Sequence, residues 1–292
     1  MNAIKSILVP VDFSDLAAKS YQFALQLADE LSASVHLLYC VSSAPGVTTH
    51  PDIFHNVMEE LLQSAEVTLG TFKEKGIARV ALNNTPIVIG SVRIGSLEDG
   101  INRESKEHDI DLVLIGTHGV QDNWDRLFGT HATALSGKVE TPVLILPSGT
   151  EYRPFKSVCF ATDFRDRDLK NATRLIKVFY PFLPHMHFLH VQDPEEAQPS
   201  EGIDFFRRAF ERPQQGMEAT FTTVTNHDVT DGVFGYLGTH HHDLLVMVKP
   251  NRGWWSRLLS HSETRETAGI TNLPLLILGE KAWEGLGSLA KD

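Results

Sequence analysis

The sequence predicts an α/β protein built as two tandem doubly wound domains, and three observations carry that prediction. The chain is written twice: ILVPVDF at residues 7–13 recurs as VCFATDF at 158–164, DLVLIG at 111–116 as DLLVMV at 243–248, and TPVLIL at 141–146 as LPLLIL at 273–278. Internal self-similarity of this length marks a duplicated domain. Short β-branched runs alternate with longer amphipathic ones, as βαβ units require. Runs such as DLVLIG and PVLIL are apolar on both faces, so their sheet is parallel and covered by helices on both sides.

The elements follow in order. ILVPV is the first strand. A helix begins after Ser14, its N-cap, and sets Ala17, Tyr21, Ala24, Ala28 and Leu31 on one core-facing stripe. SVHLLYCV is the second strand. A second helix is expected across residues 52–75, with Ile53, Val57, Leu61, Ala65, Leu69 and Phe72 as its core stripe. DLVLIG is a further strand, GTHGVQDNWDRLFGT at 116–130 a glycine-bearing loop, HATALSGKVE at 131–140 a helix, and PVLIL the last strand of the first copy. Tyr152-Arg153-Pro154 is the linker, which gives domains at 1–148 and 149–292. The first echo is displaced by 151 residues (163 minus 12) and the second by 132 (243 minus 111), so the second copy is 19 residues shorter in its middle.

Composition narrows the function. A formal net charge of −11 over 292 residues argues against a groove that neutralises nucleic-acid phosphates. No apolar run approaches the roughly 20 residues of a membrane helix, and MNAIKSILVPVDF lacks the pattern of a secretion signal, so a cytoplasmic protein is expected. The two cysteines, Cys40 and Cys159, sit inside apolar runs and read as buried thiols rather than a disulfide.

In an open α/β sheet a ligand binds beyond the carboxyl ends of the strands, where the strand order reverses. Two places qualify in the first copy: Pro10-Val11-Asp12, and the glycines that start at Gly116. Gly116 and Gly119 allow close backbone approach, and Gly129-Thr130 stands at a helix start, where free amides and the helix dipole attract phosphate. Turn and cap chemistry is the competing explanation for the same residues. The stretch has neither the lysine of a Walker loop nor a G-x-G-x-x-G fingerprint. A carboxylate such as Asp12 suits ribose hydroxyls and repels phosphates, although it could equally cap the following helix.

Gly116-x2-Gly119-x9-Gly129-Thr130 fits the pattern G-x2-G-x9-G-[ST], and with the opening ILVPVDFS the chain resembles the universal stress protein family in its tandem form, over residues 3–148 and 155–280. The resemblance implies a five-stranded parallel sheet in each half and an adenine nucleotide, ATP or else ADP or AMP, with Mg2+ as its accompanying ion. Pro10, Val11 and Asp12 would border adenine and ribose, Cys40 would offer backbone to the adenine, and Gly116, Gly119, Gly129, Thr130 and His131 would hold ribose and phosphates. It also implies pairing of final strands, here 141–147 with 273–279, and leaves room for a homodimer and a protein partner. The second copy departs from the pattern: Val248 and Asn251 replace the first two glycines, Pro250 removes an amide and the last position falls near Ser260-His261, so no nucleotide is expected there. Lys249, Arg252 and Arg257 read as solvated surface charges.

His240-His241-His242 follow one another without a recognised metal spacing and are not expected to bind one. No nucleophile and base pair stands out, so no catalytic residue is assigned. The expected work is regulatory: nucleotide stabilises one conformation, which a partner reads. Slow ATP hydrolysis at that site and a nucleotide-free scaffold are the alternatives.

Overall fold

The structure, a computed structural model, describes residues 4–41, 51–117, 141–195, 200–210, 218–248, 272–279 and 282–283. It divides into two compact units, Ile4–Gly116 and a second that runs from Thr117 onward.

In the first unit the apolar run Ser6–Pro10 forms β1, with Ile7, Leu8 and Val9 fully buried. The chain then turns into α1 (Asp15–Leu31), capped by Ser14, whose hydroxyl accepts the Ala17 amide at 3.1 Å. β2 (Ser34–Val41), α2 (Pro51–Ala78), β3 (Val88–Ile94), α3 (Leu97–Glu107) and β4 (Leu112–Thr117) follow. Pairing is parallel throughout, in the order β3-β2-β1-β4. β1 therefore leads to β2 on one side and has β4 on the other, and the strand order reverses between β1 and β4.

The second unit repeats the plan with β6 (Ser157–Ala161), α4 (Asp166–Val178), a single 3-10 turn at Tyr180–Phe182, β7 (His185–Gln192), α5 (Ser200–Phe210), β8 (Ala219–Thr225), α6 (Val229–Thr239), β9 (Leu244–Val248) and β10 (Leu275–Leu278). Its parallel order is β10-β9-β6-β7-β8, the five strands expected. β5 (Val143–Pro147) lies in this unit too, antiparallel to β10 with Leu276 opposite Leu144. The pairing of final strands within one chain is thus observed.

The duplication extends to single side chains. Asp111 accepts the amides of Lys5 and Ser6 at 2.7 and 3.1 Å, tying the start of β4 to that of β1, and Asp243 accepts those of Lys156 and Ser157 at 3.0 and 2.8 Å. Both carboxylates precede their strands, which begin at Leu112 and Leu244. Gly100 on α3 packs against the Cys40 thiol, and Gly232 on α6 packs against Val191 at the matching place. Among the described residues the difference in length shows in one helix: α2 has 28 residues and α5 has 11.

One expectation needs correction. Ala65 and Leu69 of α2 are buried, but Val57 and Leu61 are 39% and 48% exposed. The amphipathic stripe is longer than the part of it that reaches the core. Among the described residues no helix is long and apolar enough to cross a membrane.

Candidate functional site

The site is built around the end of β1. The buried Val11 donates its amide to the Leu38 carbonyl at 2.8 Å, the last rung between β1 and β2. The next residue, Asp12, is exposed, and its Oδ1 accepts the Ser14 amide at 3.0 Å. Asp12 therefore supports the turn into α1, while the cap itself belongs to Ser14. Between them Phe13 holds a φ of 64°, a left-handed conformation that is costly for a bulky side chain. Its ring is anchored on Tyr39 and Phe72, with centroids at 4.5 and 5.6 Å. The strain recurs in the second unit, where Phe164 has φ 55° and packs on His190 and Phe206.

Cys40 lies two residues past Leu38 on β2. Ser34 and Leu38 turn their backbone groups to β1, and alternation along a strand gives Cys40 the same direction. With β1 ended, the Cys40 amide and carbonyl face the space above Val11, where backbone contact to a flat ring was expected. The thiol points elsewhere, against Gly100, and burial, with Glu104 adding to it and Arg93 opposing, pushes it up to about 11. It is a packing group at neutral pH. Cys159 is buried, and desolvation raises its thiol further still.

Gly116 sits at the carboxyl end of β4, and the register Leu8 to Val113, carried three residues on, places it beside Val11. The strand-order reversal thus brings Pro10, Val11, Asp12, Cys40 and Gly116 to one edge. The reason for glycine at 116 differs from the sequence reading: a Cβ there would run into the Ser20 hydroxyl and the Leu16 side chain of α1. The missing side chain lets a helix pack on the strand end. Gly119, Gly129, Thr130 and His131 lie outside the described residues, as do Lys249, Pro250, Asn251, Arg252, Arg257, Ser260 and His261.

The second unit treats the equivalent edge differently. Asp168 is 3% exposed and turns its Oδ2 back under the strand end, accepting the Thr162 hydroxyl at 2.9 Å and the Asp163 amide at 3.1 Å. The Thr162 hydroxyl in turn accepts the Phe164 amide at 2.8 Å. Asp163, the counterpart of Asp12, has Arg165 at 3.6 Å. In the first unit Val11, Ser14 and Ala17 stand in the places of Thr162, Arg165 and Asp168. Sequence reading located the loss of glycines in the second copy but missed this inner carboxylate, whose signal was an aspartate where the first copy has alanine.

Comparison with known proteins places these features. The profile of the universal stress protein family matches residues 3–147. Universal stress protein G of Salmonella typhimurium is 27% identical over 147 residues, which span 49% of this chain and 98% of that protein. Universal stress protein YxiE of Bacillus subtilis is 25% identical over 148 residues, 48% of this chain and 97% of that one. The crystal structure of a universal stress protein from Archaeoglobus fulgidus, 15% identical, superposes with a TM-score of 0.65 over 95% of this chain and 97% of its own. The fold similarity therefore reaches through both halves.

Proposed function

The chain belongs to the universal stress protein family through residues 3–147, and on that premise we propose that its first half is an adenine-nucleotide-binding regulatory module while its second half is not. The two copies, 1–148 and 149–292, then divide the work between a ligand-bearing domain and a supporting one. ATP, ADP or AMP would lie at the end of β1, with Pro10, Val11 and the Cys40 backbone along the adenine and Asp12 accepting hydrogen bonds from ribose hydroxyls. Gly119, Gly129, Thr130 and His131 would hold the phosphates and their Mg2+, and Gly116 would take part through its position at the end of β4.

The observation that supports this reading best is the contrast between the two strand ends. Both ends carry an exposed carboxylate, Asp12 or Asp163, but at the second the Asp163 amide and the Thr162 hydroxyl are also taken by the protein's own buried Asp168, which has no counterpart at the first. With Asp168 turned inward, those polar groups at the second strand end are already satisfied within the protein and are not free to meet a nucleotide. The readout of the bound state would be a protein partner or a second copy of the chain, in the cytoplasm.

Thermal unfolding with ATP, ADP, AMP and GTP tests the proposal, on the wild type and on the Asp12→Ala, Gly129→Val and Asp163→Ala variants. At 100 times its dissociation constant a ligand stabilises by about 2.7 kcal/mol. The expected result is a rise with adenine nucleotides that Asp12→Ala and Gly129→Val lose and Asp163→Ala keeps. No rise in protein shown to carry no nucleotide would overturn the proposal and favour a scaffold.

A further inference from the structure

At the amino-terminal ends of the strands in the second unit, far along the sheet from Asp163, histidines from separate segments converge. His185 and His187 are two apart on β7 and so project from one face, their rings stacked with centroids at 4.0 Å. His242, between α6 and β9, meets His187 edge to face at 4.6 Å. Each of the three rings has an oxygen at the same nitrogen: Nδ1 of His242 lies 3.0 Å from Ser157 Oγ, that of His187 2.8 Å from Thr220 Oγ1, and that of His185 3.6 Å from Glu218 Oε2. The opposite nitrogens of His185 and His242, their Nε2 atoms, are buried without a hydrogen-bond partner.

We propose that His185, His187 and His242 form a binding site for a divalent transition cation of the zinc class, ligated through their Nε2 atoms with water in the fourth position. A ring that donates from Nδ1 to a hydroxyl or carboxylate presents its Nε2 lone pair to a metal, and that outer partner fixes the tautomer. Imidazole is a ligand suited to zinc, copper and nickel. A buried ring nitrogen without a partner is otherwise a loss of hydrogen bonding, which a metal bond would make good.

Geometry sets what binding must change. Among the described residues the one cluster whose donor atoms already lie within 4.8 Å of one another is Glu104, Glu107 and His108. There Arg93 already supplies the positive charge, with Nη2 at 2.6 Å from Glu104 and 2.5 Å from Glu107. Among the described residues no such cation faces the three histidines; their ring nitrogens do not all lie within 4.8 Å of one another, so binding would require the stacked His185 and His187 rings to turn toward His242. The ion would join β7 to the segment entering β9 and, through Ser157, to β6.

The full chain, freed of metal with a chelator, should be titrated with Zn2+ by calorimetry and with Co2+ by visible absorption. The expected result is about one ion per chain, with affinity reduced at least about tenfold by His187→Gln and by His242→Gln. Ser157→Ala, which removes only an outer partner, should weaken binding by about 10- to 100-fold without abolishing the site. His241→Ala, at an exposed neighbour, should bind as the wild type does. Far-UV circular dichroism identifies any variant that fails to fold, in which case Ser157→Ala decides. No binding by the full chain, or binding that survives in the folded histidine variants or is lost in His241→Ala, would overturn the proposal.

Discussion

The Ser20 hydroxyl of α1 occupies the space that a side chain at Gly116 would need, and it is held there by donating to the Leu16 carbonyl at 2.9 Å. Gly116→Val therefore overpacks a helix against a strand end. It should cost about 1–3 kcal/mol of stability whether or not nucleotide is present. Denaturant melts measure this, and pairing it with Ser20→Ala should recover part of the loss as a coupling energy between neighbours. An unchanged midpoint would show that α1 can move away freely. Loss of nucleotide binding in this variant would not by itself locate the ligand.

The carboxylates of Asp111 and Asp243 do the same work in the two copies, each taking two backbone amides at the start of the neighbouring strand. Asp111→Ala and Asp243→Ala should each destabilise by about 1–3 kcal/mol, because each leaves one part-buried amide, that of Ser6 or Ser157, without its acceptor. Two separate melts of comparable size are expected; a large effect in one and none in the other would show that the duplicated geometry is not energetically equivalent.

Glu104 is fully buried and faces Arg93, whereas Glu107, bound to the same guanidinium, is 40% exposed on its side chain. Removing one partner of a buried ion pair costs about 3–5 kcal/mol, and an exposed pair contributes under about 1. Glu104→Gln should thus approach about 3 kcal/mol, and Glu107→Gln should cost clearly less. Equal losses in chemical denaturation would contradict the assignment of Glu104 as the structural partner.

Acid should weaken the second unit before carboxylates titrate. His187 and His242 are lowered from 6.5 to about 4, first by burial and then by the neighbouring imidazoles of His185, His240 and, for His242, also His187 and His241; Glu218 is the acidic group at their edge. Folded pKa values below the unfolded ones mean that the unfolded chain binds more protons. The stability these rings contribute is complete above pH 6.5 and is lost as the pH falls toward 4. Because each ring is partly in water, the slope should be less than that of two full protons. Urea melts in chelator between pH 7.5 and 4 would show it, and His242→Asn should flatten it; a slope unchanged in that variant would place the proton uptake elsewhere.

The fold was legible where the pattern is long and repeated. Apolar runs such as ILVPV, SVHLLYCV and DLLVMV appear as β1, β2 and β9, and Ser14 caps α1 as its position suggested. The edge strand β3, Val88–Ile94, went unrecognised because VIGSVRI alternates imperfectly and contains a glycine. The α2 stripe misled ahead of Ala65 because periodicity records amphipathicity and not the length of sheet available to cover it. Asp12 and Gly116 were identified as neighbours at a strand-order reversal, yet the reason for glycine at 116 lay on α1, about a hundred residues away in sequence. The histidine cluster was hidden for the same reason: His240-His241-His242 has no metal spacing, and its meaning depends on His185-x-His187 of β7.

The antiparallel pairing of β5 with β10 also has a consequence for synthesis. Ile145 leaves the ribosome 130 residues ahead of Leu275 (275 minus 145), the residue it must meet. At about 5–20 residues per second the delay is roughly 6–26 s. During that time the run Val143-Leu144-Ile145-Leu146 offers an apolar strand edge with its final partner not yet made, and such edges accept any strand of similar character. A neighbouring copy supplies the identical β10. Rapid expression should therefore yield a strand-exchanged dimer fraction that slower expression lacks, separable by gel filtration, and the pairing that completes one chain is the one through which two chains would become entangled.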